Sequence, residues 1–300
     1  MIRIDALRMF LVVAESGTLR DAAAQLNRTQ SALSMALKQL EEHLGGPLFE
    51  TDRKRNLTAL GRFVRDVATG MVAEHDHTIA LIERYARGRA GQLRLASVPS
   101  VAAVVLPAVL LAFLRRADGA EIDLADTDST SVRRRVAAGQ ADIGIASGGT
   151  CPEGLRAEFL FSDWLVLVCH ADHPLAHHPG KLGWADISSA DLIMHGALDA
   201  LEAPAFRAIA TKSRLSVRNN LSLLAMVKSG AGITLLPSLA TRSLDPALVT
   251  RRIDAPGLAR QVYLVTRAER SLTPLARAFR DHVFGQRKAI AAHYGLGLEG

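Results

Sequence analysis

Residues 18–44, with the sequence TLRDAAAQLNRTQSALSMALKQLEEHL, contain two helical patterns separated by a three-residue turn. Thr18 is a suitable N-cap for the first helix, and Asp21 follows three residues later as in a capping box. Asn27 begins the turn and belongs to the few residue types that tolerate a positive φ at a helix end. The second helix is expected over residues 29–44, with its leucines buried. Two helices joined this tightly predict a helix-turn-helix.

The outward side of the second helix carries hydrogen-bonding side chains and no carboxylate before Glu41. These side chains are Gln30, Ser31, Ser34 and Lys38. In a helix-turn-helix, the N-terminal part of the second helix contacts base edges in the DNA major groove, where an amide such as Gln30 can pair with adenine at two atoms. The alternative is a three-helix bundle with a solvated polar face.

A small β-hairpin, or wing, is expected after this helix. Residues 48–50 and 56–58 have strand character and flank a charged tip at residues 52–55. The adjacent cations of this tip suit contacts with DNA phosphates, which fix orientation without reading sequence; they are Arg53, Lys54 and Arg55. A solvated charged turn is the alternative. Arg20 and Thr29 complete the set of candidate DNA-binding residues.

Residues 2–65 resemble the winged helix-turn-helix of the LysR-type transcriptional regulators of bacteria. The matching segments are residues 7–10, 15–19, 22–23, 25–26, 29–34, 40–41, 44–45, 47–50 and 57–58, followed by Gly61. Two positions depart from the family pattern. Met35 stands where the family commonly has arginine, which removes one expected phosphate or base contact, and Asp21 stands where a basic or neutral residue is common.

A long linker helix is expected over residues 59–87, between a DNA-binding domain at 1–58 and a further domain at 88–300. Its apolar residues follow a heptad seam with Glu74 and Thr78 in the middle; they are Val64, Val67, Met71, Leu81 and Tyr85. The seam indicates either a dimerisation helix or a helix packed on its own domain. The LysR resemblance implies the dimer, with a tetramer, a two-fold symmetric operator and contact with RNA polymerase as further implications.

Residues 88–300 alternate between strand and helix patterns. Strands are expected at 92–98, 121–125, 141–146, 164–170, 191–194, 215–218, 232–235 and 261–266, and helices at 101–116, 132–138, 203–211, 221–229 and 273–287. Alternating units of this kind predict an α/β domain with a mostly parallel sheet and a ligand cleft at the carboxyl ends of the strands.

The LysR resemblance extends to this half and implies an effector domain of two subdomains, similar to periplasmic binding proteins, with a small metabolite between them. Subdomain 1 is expected at about 92–162 and 267–300, and subdomain 2 at about 163–266. The positions that match the family's cleft are Ser97, Ser100, Val101, Ser129, Ala146, Ser147, Gly148, His195, Asn219 and Thr234.

The residue types support only some of these positions independently of the family. Ser100 and Ser129 each precede a predicted helix, where free backbone amides favour an anion, although simple N-capping explains either serine equally well. His195 either pairs with an anionic ligand or is a satisfied histidine at a strand end. The identity of the effector does not follow from the sequence.

The composition bounds the cellular setting. The chain has 300 residues, a net charge of +6 and two cysteines, Cys151 and Cys169. Its length favours two or more domains, and two cysteines cannot build a disulfide framework, which fits a reducing cytosol. Neither a secretion signal nor a membrane-spanning run is recognisable, so a cytoplasmic protein is expected. The positive charge is compatible with a polyanionic partner.

Other chemistries lack a supporting pattern. Four clustered histidines do not have the spacing of metal ligands; they are His170, His173, His177 and His178. Neither a phosphate-binding loop nor a nucleophile with its base is recognisable, so neither a cofactor nor enzyme activity is expected. The alternatives to a ligand-controlled regulator are a regulator that acts without a ligand or through cysteine oxidation, a solute-binding protein, and an enzyme that uses the cleft.

Overall fold

The computed structural model describes residues 1–50, 56–148, 151–198, 201, 203–255 and 257–299. The chain divides into two compact units, Met1–Glu83 and Arg84–Gly300. Each unit has a hydrophobic core of its own. Within the described ranges, no helix combines the length and the apolar character needed to cross a membrane.

The first unit is built from helices. They are α1 (Ile4–Ser16), α2 (Leu19–Gln25), α3 (Gln30–Leu44) and α4 (Ala59–Ala86), the last of which continues into the second unit. The apolar residues that recur at three- and four-residue steps in α1 and α3 meet in one core, which includes Phe10, Leu33 and Leu37. The rings of Phe10 and Phe49 meet edge to face at 5.6 Å, so the segment after α3 closes the same core.

The turn between α2 and α3 has the predicted chemistry. The Thr18 hydroxyl accepts a hydrogen bond from the Asp21 amide at 3.1 Å, and Thr29 caps α3 by accepting from the Ala32 amide at 3.2 Å. Asn27 has a φ of 54°. The predicted helix-turn-helix is therefore confirmed, with residue 29 as the cap and Gln30 as the first helical residue.

The base of the expected wing is present after α3. Phe49 and Leu57 form an antiparallel bridge, and the Glu50 amide donates to the Asn56 carbonyl at 2.9 Å. Gly61 of α4 packs so closely on this segment that a Cβ there would lie 2.1 Å from the Leu48 carbonyl oxygen. The predicted tip at 52–55, with its three cations, lies outside the described residues.

Helix α4 buries one face and exposes another. Val64 is only 8% exposed and belongs to the core of the first unit, so its expected place in the heptad seam is wrong. The exposed residue one position earlier, Phe63, lies on the side that Val67 and Met71 continue. Other exposed apolar residues of α4 are Ile79, Leu81, Ile82 and Tyr85. The helix thus presents a long apolar surface. At its N-terminal end this surface contains Phe63 in place of the predicted Val64.

The second unit contains a first sheet with the strand order β2, β1, β3, β9, β4. These strands are β1 (Ala90–Ser97), β2 (Gly119–Asp126), β3 (Ile143–Ser147), β4 (Leu155–His170) and β9 (Ala259–Arg267). One face carries α5 (Pro99–Val104), α6 (Leu106–Leu114) and α11 (Pro274–Tyr294). The other face carries α7 (Ser129–Ala137). Leu95 and Ala96 alternate between the two cores, as neighbours on a strand must.

A second group of strands forms the other subdomain. The far half of β4 pairs with β7 (Thr234–Pro237) and β8 (Leu248–Arg251), both antiparallel to it. The short parallel strands β5 (Ile193–Met194) and β6 (Leu215–Ser216) extend this sheet through a bridge between Leu192 and Ile233. The helices of this subdomain are α8 (Trp184–Ile187), α9 (Pro204–Ala210) and α10 (Asn220–Lys228).

Strands β4 and β9 connect the two subdomains. The first ten residues of β4, from Leu155 to Trp164, pair with β9, and the remainder pairs with β7 and β8. Residues 259–266 therefore lie in the first sheet, and the subdomain boundary expected at 266 is replaced by one near 258. The sheet is also mixed instead of mostly parallel, because β9 runs antiparallel to both β3 and β4.

Some predicted elements differ in extent. The single helix expected at 101–116 is divided into α5 and α6 at Val105, because Pro107 has no N–H to continue the helical hydrogen bonds. Helix α11 extends to Tyr294, where Gly295 ends it with a φ of 66°. Strand β8, helix α8 and the first half of β4 were not expected.

Candidate functional site

One face of α3 is polar and exposed. Gln30, Ser31, Ser34 and Lys38 are all exposed, as the sequence predicts, and Met35 lies among them with 63% of its surface exposed. Lys38 lies 3.9 Å from Glu42, one turn further along the helix. Positions 31, 34, 35 and 38 follow the spacing of a single helix face. This face is exposed and offers donors, acceptors and one apolar side chain.

The neighbouring candidates occupy different environments. Arg20 is exposed on α2, whereas the Thr29 hydroxyl caps α3 and lies 3.1 Å from the Ser31 hydroxyl. Arg8 of α1 forms two hydrogen bonds of 2.5 Å with Asp76 of α4, which keeps the pKa of that carboxyl well below its usual range. Arg8 is therefore committed to fixing α4 on α1 and is less available for DNA.

A cleft of about 450 Å³ opens between the two subdomains of the second unit. The predicted residues that line it are Ser100, Ser129, Ser147, His195 and Asn219. They come from the carboxyl ends of strands and the following helices of both subdomains. This is where open α/β sheets place their ligands.

The other five predicted cleft residues do not line the cavity. Ser97 is fully buried and donates its hydroxyl hydrogen to the Val98 carbonyl at 3.2 Å, and Thr234 is likewise buried and donates to the Ile193 carbonyl at 2.9 Å. Val101 and Ala146 belong to the hydrophobic cores on the two faces of the first sheet. The Gly148 carbonyl accepts a hydrogen bond from Arg133.

Ser100 is held by a buried ion pair. Arg260 of β9 donates from Nε and one terminal nitrogen to the two carboxylate oxygens of Asp163 on β4, at 2.8 and 2.9 Å. Its other terminal nitrogen donates to the Ser100 hydroxyl at 3.1 Å. Asp163 is fully buried and Arg260 is 8% exposed. The side chain at the cleft wall is thus fixed by the two strands that connect the subdomains.

Neither predicted serine caps a helix. Asp128 caps α7 by accepting from the amide and the hydroxyl of Ser131, at 2.9 and 2.8 Å. Desolvation opposes ionisation of Asp128, but these hydrogen bonds outweigh it and lower the pKa of its carboxyl. Ser129 instead shares a 2.9 Å hydrogen bond with the Ser147 hydroxyl. The serines are therefore placed by side-chain contacts across the cleft floor.

Two further predicted residues lie on the wall of the second subdomain. His195 is 5% exposed, and its Nε2 donates to the Leu235 carbonyl at 2.7 Å while its Nδ1 faces the Ala197 amide at 3.4 Å. A carbonyl only accepts, so the hydrogen of this bond is carried by Nε2. Asn219 caps α10 by accepting from the amides of Leu221 and Ser222.

Four charged residues of the cleft were not predicted: Asp126, Asp128, Arg218 and Arg260. Desolvation raises the pKa of the Asp126 carboxyl. Asp126 ends β2 and Arg218 lies between β6 and α10. Both residues therefore stand at the end of a strand pattern, from which a place at the cleft could have been predicted. Arg260 had no such indication, because its role depends on register with β4.

The remaining candidates for chemistry stay unconnected to the cleft. Among the described residues, no three His, Cys, Asp or Glu side chains are grouped to hold a metal ion. The Nδ1 atoms of His170 and His173 accept hydrogen bonds from the nearby amides of Asp172 and Leu175. Burial raises the pKa of the Cys169 thiol, which lies in a hydrophobic core and is thereby protected from oxidation. Cys151 is exposed.

A helix-turn-helix with an exposed polar face on its second helix, together with a two-lobed α/β domain enclosing a cleft, defines a DNA-binding transcriptional regulator with an effector domain. Residues 4–62 match the family model described as bacterial regulatory helix-turn-helix protein, lysR family. Residues 86–287 match the model described as LysR substrate binding domain. The chain therefore belongs to the LysR family.

Known proteins of similar sequence or structure match nearly the whole length of the chain. The chain is 28% identical over 283 residues to the probable HTH-type transcriptional regulator LrrA of Synechococcus elongatus, covering 93% of this chain and 95% of that protein. It is 27% identical to a probable nitrogen assimilation transcriptional activator of the same organism, covering 93% of each. Among solved structures, the LysR family regulator CbnR complexed with its target DNA matches with a TM-score of 0.73 at 22% identity, covering 95% of this chain and all of that one.

Proposed function

We propose that this protein is a sequence-specific DNA-binding regulator that acts in the cytoplasm as a dimer or tetramer whose geometry is set by a small effector. The effector binds in the cleft between the two subdomains and RNA polymerase responds to the geometry of the DNA-bound assembly. A ligand shifts such an equilibrium only if it binds one arrangement more tightly than the other.

The exposed face of α3 is the observation that carries the DNA-binding part. Gln30 lies in its first turn and reads a base edge, while Ser31, Ser34 and Lys38 supply donors on the same face. Arg20 and the wing cations Arg53, Lys54 and Arg55 contact phosphates, which adds affinity without sequence preference. This reading is supported by the similar fold of CbnR, which has been solved in complex with its target DNA.

The cleft supports the effector part of the proposal. Ser100, Ser129, Ser147, His195 and Asn219 present polar groups from both subdomains to one cavity of about 450 Å³, a volume suited to a small metabolite. Because β4 and β9 connect the subdomains, closure around a ligand is a rotation about these two strands. A related fold has been solved with shikimate, in the effector binding domain of QuiR.

The apolar face of α4 supports self-association. Phe63, Val67 and Met71 are each more than half exposed, which is energetically unfavourable for a helix that stays in water. Pairing of two such helices buries this surface and gives the dimer a two-fold axis. Two recognition helices related by that axis would read an inverted repeat.

Fluorescence anisotropy with a DNA fragment from upstream of the protein's own gene tests this function. We expect binding that survives excess random DNA, and loss of this preference in Gln30→Ala. The matched control is Gln39→Ala, which alters an exposed glutamine outside the 31, 34, 35, 38 face. If wild type prefers the fragment no more than random DNA, and a library-selected duplex fares no better, the proposal is wrong.

A further inference from the structure

The two walls of the cleft carry opposite charges without partners. Asp126 lines the cleft from the first subdomain and Arg218 lines it from the second. Within the described part of the chain, neither side chain forms a hydrogen bond or ion pair. Both side chains are exposed in the open cleft, where a charged group of a ligand can pair with them, and each subdomain offers one sign.

The other charges of the lining are already used within the protein. Arg260 is held by Asp163, so the pair adds no net charge to the cleft. The carboxylate oxygens of Asp128 accept hydrogen bonds from Ser131, and the negative charge of Asp128 remains beside Asp126. Counted over the described residues, the first-subdomain wall therefore carries two carboxylates beside the Arg260–Asp163 pair, and the second-subdomain wall carries the cation Arg218.

Side-chain caps occupy part of the helix amides at the cleft. Asp128 accepts from the Ser131 amide at the start of α7, and Asn219 accepts from the Leu221 and Ser222 amides at the start of α10. An anionic group of a ligand would thus meet a carboxylate at α7, which repels it. Of the charged donors that line the cleft in the described ranges, Arg218 is the one without a hydrogen bond or ion pair to the protein.

We propose, on the basis of the effector site proposed above, that the ligand of this cleft is amphoteric, with a cationic nitrogen bound by Asp126 and an anionic oxygen group bound by Arg218. One molecule then satisfies both walls and draws the subdomains together. A carboxylate without a cationic group leaves Asp126 unpaired and adds repulsion from Asp128. A plain amine leaves Arg218 unpaired.

Matched sets of small probes test the proposal by thermal shift and calorimetry on the full chain. Each set contains a zwitterion, the acid that lacks its nitrogen and the amine that lacks its carboxylate. Suitable sets are L-phenylalanine, 3-phenylpropanoate and 2-phenylethylamine, and, for a wider charge separation, 6-aminohexanoate, hexanoate and pentylamine. We expect at least one zwitterion to raise the Tm, and its acid and its amine to bind about tenfold more weakly or worse.

Two variants assign the ends of the ligand. Asp126→Asn should weaken the zwitterion and the amine but not the acid, and Arg218→Gln should weaken the zwitterion and the acid but not the amine. Asp123→Asn and Arg214→Gln are matched controls, because both residues are exposed and lie outside the cleft. Both controls should bind like wild type.

Three results overturn the proposal: an acid that binds as tightly as its zwitterion, variants that behave like their controls, or no zwitterion in the panel that stabilises the protein. DNA binding of the same preparations is measured in parallel. Loss of DNA preference with intact zwitterion binding would contradict the regulator function and leave this inference standing, so the two failures are distinguishable.

Discussion

Arg260 and Asp163 face each other in register on the two strands that join the subdomains, and their side chains form a doubly hydrogen-bonded ion pair that is almost completely buried. Removing one partner of such a pair strongly destabilises the fold, because the remaining charge stays buried without a partner. Its third contact, from Arg260 to Ser100, links the two connecting strands to the cleft wall.

We expect Asp163→Ala to lower the free energy of unfolding of the second unit by about 3–5 kcal/mol, measured by urea denaturation. The double variant Asp163→Ala with Arg260→Met removes both charges and should recover much of the loss. Equal destabilisation in the single and double variants would show that the lost packing matters more than the unpaired guanidinium.

The polar face of α3 and the wing are expected to contribute differently to DNA binding. Gln30→Ala should cost about 1–3 kcal/mol at one operator position. Lys54→Ala should weaken binding to all sequences and flatten its salt dependence, as the loss of a phosphate contact does. Anisotropy titrations on specific and random duplexes at several salt concentrations measure both effects. An equal loss on both duplexes for Gln30→Ala would refute its reading role.

Met35 is expected to read thymine. It is the apolar member of the exposed face of α3, and the C5 methyl of thymine is the apolar group that the major groove offers. Replacing the contacted dT by dU removes only that methyl and should weaken wild-type binding about fourfold. In Met35→Ala the same replacement should have no effect. A scan of dU through a selected duplex that affects both proteins alike would contradict the contact.

Val64 and Val67 are expected to differ despite their proximity. Val64→Ala should lower the free energy of unfolding of the first unit by about 2 kcal/mol because it opens a cavity in the core. Val67→Ala should change it by less than about 0.5 kcal/mol. Sedimentation equilibrium should show weaker dimerisation for Val67→Glu, whose charge would lie in the helix pair. A Val67→Glu protein that associates like wild type would exclude this face from the dimer.

Acid stability should depend on Glu158. Arg280 donates two hydrogen bonds to its carboxylate, at 2.7 and 2.5 Å, and holds the pKa of Glu158 below the usual 4.5. The lowered pKa means that this pair stabilises the fold fully above pH 4.5 and progressively less as the pH falls through the lowered value. Urea titrations between pH 6 and 3 should therefore show a shallower loss of stability in Glu158→Gln. Glu153→Gln, at an exposed position, should keep the wild-type slope.

The local chemistry of the first unit could be predicted from the sequence because each feature lies within a few residues of its partner. Thr18 caps a helix three residues away, and Asn27 needs no distant contact to adopt its positive φ. The displaced seam on α4 was not readable, since only the packing of α1 and α3 determines that Val64 is buried and Phe63 is exposed. A heptad pattern alone fits either residue.

The cleft was only partly predictable for the same reason. Ser129 and His195 stand at the ends of strand patterns, which places them near the cleft without knowledge of pairing. Val101 and Thr234 stand at similar positions but turn into the cores, and a one-residue difference in orientation decides this. Arg260 acquires its role from a partner 97 residues away, so its environment appears only when β4 and β9 are paired.

Strands β4 and β9 are antiparallel neighbours up to the register pair Trp164 and Ala259, after which the chain leaves for the second subdomain and returns. In topological terms the second lobe is a contiguous insertion into the tip of a β-hairpin. The first lobe should consequently survive removal of residues 165–258 when a two-residue turn such as Asn-Gly joins the strand ends. Such a shortened protein would keep α3 and α4 while lacking half of the cleft, and under the proposed function we expect it to bind DNA in one fixed state.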